Sequence, residues 1–122
     1  MGKLFLAYLP QGERKRLIES LPLTRYTPKT ITSRPALDRE LTRIRRAGYS
    51  VDDEEFLLGV VCLAVPILGA ANEVIAAVAL QAPRARMSLR DAVRHLPRLK
   101  RAAARYADQF NGELADRRAS RR

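Results

Sequence analysis

His95 and Cys62 are the only histidine and the only cysteine in the chain. A metal centre needs three or four converging ligands, so here it would have to be completed by carboxylates. A Cys/His nucleophilic pair has no supporting signature around either residue. No Lys or Arg lies between positions 52 and 83 to hold an oxyanion in that stretch. The densest acidic group, Asp52-Asp53-Glu54-Glu55, lacks the glycine-spaced order of a calcium loop. Asp53 to Glu55 therefore read as solvated turn residues or a helix start. Asp52 is set apart because it ends a strand where the chain enters an apolar block. Arg90, Arg94, Arg98, Arg101 and Arg105 are spaced 4, 4, 3 and 4 apart, a basic stripe that could touch phosphates. An amphipathic helix must nevertheless put something polar outside, and no helix-turn-helix, zinc finger or aromatic-rich strand accompanies the stripe. A solvated face is the preferred reading. The chain is not expected to be an enzyme or to carry a cofactor or metal.

The elements that hold these residues follow from the hydrophobic pattern. The 122 residues suit one domain with a modest aliphatic core, since 47% are apolar and only 6% aromatic. The net charge of +10 is segregated: all 23 Lys and Arg residues lie in 1–51 and 84–122, around a middle block without any. The single cysteine excludes an internal disulfide and fits a cytoplasmic protein, and no signal peptide is read at the start. Lys3 to Leu9 reads as a short buried helix stopped by Pro10. A second helix opens at Gln11, turns Leu17, Ile18 and Leu21 inward, and ends at Pro22. The Thr-rich stretch 24–32 is extended and irregular. In the helix Pro35 to Ala47, Leu37, Leu41 and Ile44 recur at i, i+4 and i+7, with Gly48 at the left-handed cap.

A hydropathy window over 56–83 suggests a membrane span. Neither apolar run reaches the ~20 residues a span needs, however, and Pro66 and Asn72-Glu73 interrupt it. A hairpin of Val60–Leu68 and Glu73–Gln81 is the better reading, with a short third strand over Tyr49–Asp52, and no membrane partner is expected. Alternation along the first strand puts Val60, Cys62 and Ala64 on one face and Val61, Leu63 and Val65 on the other. The second strand divides into Ile75, Ala77, Ala79 and Gln81 against Val74, Ala76, Val78 and Leu80. A face holding Cys62, Ala64, Ala77, Ala79 and Gln81 is small-residued and partly polar, which leaves room either for tight helix packing or for a ligand. Ser88 to Asp91 resembles a capping box opening a helix to His95, and Pro97 permits a second helix, Arg98 to Leu114. Leu89, Val93, Leu96, Leu99, Ala103, Tyr106, Phe110 and Leu114 hold one face of this pair. Residues 1–114 form the expected domain, and 115–122 are read as a basic disordered tail.

The order of several segments resembles the effector-binding domain of IclR-type bacterial transcription regulators. The match runs through Gly2–Ala7, Tyr26-Thr27-Pro28-Lys29-Thr30-Ile31-Thr32, Leu41 with Ile44-Arg45, Gly48–Glu55, Gly59–Ala64, Pro66, Ala76-Ala77-Val78 and Pro83. Its most specific parts are Gly-Tyr-x-x-Asp-x-Glu-Glu and Gly-x-x-Cys-x-Ala. The resemblance implies an α+β, GAF-like sensing domain, here partial: a small antiparallel sheet of about three strands covered by helices. It implies that Asp52 and Cys62 point into the effector pocket, that Val60 lines it, and that Ala79 and Gln81 occupy two positions where the family often has Ser. The implied partners are a small-molecule metabolite, further copies in a homo-oligomer, and DNA only through a winged helix-turn-helix that this chain lacks. Ala79 and Gln81 weigh against a small carboxylic acid as effector. The resemblance also implies that the first strands of the sensing domain are missing, so a sheet edge beside Val61, Leu63, Val78 and Leu80 is expected to lie open. A stand-alone module that pairs with a full-length regulator through that edge, and a nucleic-acid binder acting through the arginine stripe, are the alternatives.

Overall fold

The structure is a computed structural model describing all 122 residues, Met1–Arg122. Its elements in chain order are α1 (Gly2–Ala7), α2 (Gln11–Ser20), α3 (Arg34–Ala47), β1 (Ser50–Asp53), β2 (Val60–Leu68), β3 (Val74–Pro83), α4 (Leu89–Arg94) and α5 (Leu96–Ala119). The three strands form one antiparallel sheet in the order β1-β2-β3, so β2 is central. The expected α+β class and strand count are therefore present.

Local chemistry explains where the elements begin and end. Ser33 caps α3 by accepting from the Ala36 amide, Pro35 sits in its first turn, and Gly48 ends it at φ 76°. Only glycine enters that left-handed region without a Cβ penalty. Ser88 and Asp91 exchange side-chain and backbone hydrogen bonds at the start of α4, so the capping box is real despite its Asp. The β2–β3 turn is closed by the Gly69 amide on the Glu73 carbonyl, 2.9 Å, with Asn72 at φ 60°.

Packing divides along β2. On one face Ala64 joins Leu4, Ala7, Ile18, Leu37, Leu41 and Ile44 beneath α1, α2 and α3. On the other, Val65 and Ile67 meet Ala103, with Leu96, Leu99 and Ala107 of α5 packed around them. Helices on both sides of a sheet that is apolar on both faces make a three-layer arrangement. Val61 and Leu63, both 0% exposed, are buried on the central strand and are not part of an open edge.

Other expectations also need correction. Leu17 is 40% exposed, because α2 turns only Ile18 fully inward. Helix α5 starts at Leu96 and runs to Ala119, past Leu114 and through most of the stretch read as a tail. It overshoots a sheet of three strands. Its second half only skirts the sheet, with Phe110 beside Ile67 and Ile75, and Tyr106, Phe110 and Leu114 stay 57%, 42% and 39% exposed. No helix is long and apolar enough to cross a membrane.

Candidate functional site

Strand register assembles the site. Asp52 of β1 stands opposite Cys62 of β2, and Cys62 stands opposite Gln81 of β3; one step along, Ala64 pairs with Ala79. Because side chains two apart share a face, Asp52, Cys62, Ala79 and Gln81 lie on one side of the sheet. All four line one cavity of about 590 Å³, within the size range of small-molecule sites. Val60 does not reach it. It sits at the end of β2 opposite Pro83 and is absent from the lining, because the cavity is centred farther along the strand.

The walls come from α1 and from two loops. Lys3 of α1 sends its ammonium, 15% exposed, to Glu55 Oε1 at 2.8 Å, Glu40 Oε1 at 3.4 Å and the Val51 carbonyl at 2.6 Å. Asp52 Oδ1 accepts the Glu55 amide at 2.7 Å, which folds the chain back after β1. Asp52 itself takes part in none of the chain's ion pairs. Burial pushes the Cys62 thiol above its usual range, the amino terminus partly opposes this, and the Asp52 carboxylate reinforces it. The thiol thus offers a weak hydrogen bond and is not poised as a nucleophile.

The rim is tied by hydroxyls. Thr27 Oγ1 donates to the Glu54 carbonyl at 2.7 Å, and Thr30 Oγ1 donates to the Glu55 carbonyl at 2.6 Å. These bonds lash the 24–32 stretch to the β1–β2 loop and bring the rings of Tyr26 and Phe56 to 5.0 Å. Both rings line the cavity mouth and are more than half exposed. Glu54 completes the tie. Held at φ 57°, its carboxylate receives Lys29 Nζ at 2.9 Å, the Gly59 amide at 2.9 Å, and Arg84. These donors, Lys29 foremost, hold its carboxyl down to about 2.

Asp53 to Glu55 are therefore not simply solvated. They anchor three segments, through partners 24 to 52 positions away in sequence. Sequence reasoning missed Lys3, Tyr26, Thr30 and Phe56 as lining residues. The one available signal was the coincidence of a Thr-rich stretch with a later acidic run. His95 and the five arginines of the stripe are exposed, and no group of three or more His, Cys, Asp or Glu could hold a metal.

Comparison with known proteins bears on this site. Residues 1–108 match the family model described as "Bacterial transcriptional regulator IclR C-terminal". The chain is 38% identical over 109 residues to a Cupriavidus necator protein named "Probable transcriptional regulator SauR", covering 89% of this chain and 43% of that protein. A crystal structure from Rhodococcus sp. RHA1, proposed to be a transcriptional regulator, superposes with a TM-score of 0.88 at 34% identity, over 92% of this chain and 45% of that one. The inducer-binding domain of the Acinetobacter transcription factor PobR, a double mutant in complex with 3-hydroxy benzoic acid, gives 0.82 at 32% identity, over 87% and 61%. The chain thus spans less than half the length of SauR.

Proposed function

Since this chain belongs to the IclR family of bacterial transcriptional regulators, matched over their C-terminal region, we propose that it binds a small-molecule effector in the cavity beneath Tyr26 and Phe56. Asp52, Cys62, Ala79 and Gln81 are the effector-binding residues; Val60 is left out because it lies outside the lining. The carrying observation is the cross-strand alignment of Asp52, Cys62 and Gln81 over one cavity. A carboxylate, a thiol and an amide side by side fix orientation, while Leu6, Leu23 and Ile31 supply apolar area. The description of the PobR relative as an inducer-binding domain supports the same reading. Contact with DNA, in this proposal, belongs to parts of a longer regulator outside the matched residues.

The test is Ala79→Phe, which fills the cavity from an exposed position on an edge strand. Metabolites that raise the melting temperature of the wild type should fail to do so in the variant. An equal shift in both proteins would refute the site.

A second reading rests on β3. Its outer edge has no strand partner, and its ten residues carry no charge. Such an edge recruits another strand, which favours an added role in oligomerisation or in pairing with a longer regulator.

A further inference from the structure

Resting on the effector reading of the cavity, we infer that its ligand is an uncharged molecule with hydroxyl donors on an apolar body, and not a carboxylate. Lys3 supplies the only charged side-chain donor in the lining. An ammonium has three N–H donors, and those of Lys3 are occupied by Glu55, Glu40 and the Val51 carbonyl. A ligand carboxylate would have to displace one of these while approaching Asp52, a carboxylate that forms no ion pair of its own. The α-ammonium of Met1 reaches the same cavity from a residue 55% exposed, where water and salt screen it.

A hydroxyl meets the opposite situation. Asp52 Oδ1 accepts the Glu55 amide, which leaves its second oxygen to accept from a ligand in a charge-assisted bond. Gln81, directly across β2 from Asp52 through Cys62, offers both a donor and an acceptor. The Ala79 methyl, Leu6, Leu23 and Ile31 then receive the apolar body, with the Tyr26 and Phe56 rings at the mouth.

Calorimetric titration of the intact chain with matched probe pairs tests this: 3-hydroxybenzyl alcohol against 3-hydroxybenzoate, and propane-1,2-diol against lactate. The alcohols should bind at least roughly tenfold more tightly than their acids, the scale of one hydrogen bond to a charged acceptor. Asp52→Asn keeps an oxygen for the Glu55 amide but removes the charge, and it should bring each pair to near-equal affinity. An unchanged melting curve would confirm that the variant folds. Acids binding as tightly as alcohols, or a preference untouched by Asp52→Asn, would overturn the inference and leave the effector site standing. Failure of every probe to bind would overturn the effector reading itself, and this inference with it.

Discussion

Glu54 is the residue on which the cavity rim depends, and it is the one least visible in the sequence. Its partners Lys29 and Arg84 lie 25 and 30 positions away, and nothing in a run of four acids marks the second or third as the anchor. A positive φ at a non-glycine is likewise set by the surrounding bonds and not by propensity. Cys62 was legible from alternation along its strand and Asp52 from its place at a strand end, and the family resemblance marks both. The pH consequence of Glu54 has a definite sign. Its carboxyl is depressed in the folded chain to about 2, against roughly 4.3 when unfolded. The stabilisation is thus complete above the unfolded value and is lost as pH falls through the folded one. Thermal melts should show stability dropping between about pH 4.5 and 2, and Glu54→Gln should flatten that part of the profile. An equally steep fall in the variant would show that other carboxylates govern acid unfolding.

At the scale of elements, β2 was read correctly from Val60 to Leu68, because β-branched residues between Gly59 and Gly69 define it. Helix α3 was equally plain, with its Ser33 cap, Pro35 and Gly48. Register was not readable: the hairpin can slide by two residues without disturbing alternation, and only tertiary packing selects the pairing. The opposite placement of α3 and α5 was also hidden, since an apolar stripe shows that a helix is covered but not which face of a sheet covers it. Leu63, 0% exposed at the centre of β2, should be the most sensitive position on this strand. Leu63→Ala is expected to cost about 2–5 kcal/mol through lost transfer energy and the void left behind. Chemical denaturation measures it, and a loss below about 1 kcal/mol would mean that α5 collapses onto the gap.

For the whole molecule, the balance is between charge and an open edge. The net charge of +10 opposes association, but β3 itself carries none of it, and its outer edge has no strand partner. Sedimentation across a dilution series should reveal concentration-dependent self-association. Ala76→Lys, at an exposed position on β3, should weaken it by placing like charges at the seam. A strictly monomeric wild type would show that the edge is protected by twist or by the exposed end of α5. Finally, β2 is a wall shared by two rooms: Cys62 looks into the cavity, while Val61 and Leu63 on either side of it face the opposite layer. For redesign of ligand preference this divides the lining sharply. Ala79 and Gln81, exposed on the outermost strand, form a dial that can be turned freely. A larger residue in place of Cys62 would lean on the wall and be felt beneath α5, so tuning the binding room from that position disturbs the room behind it.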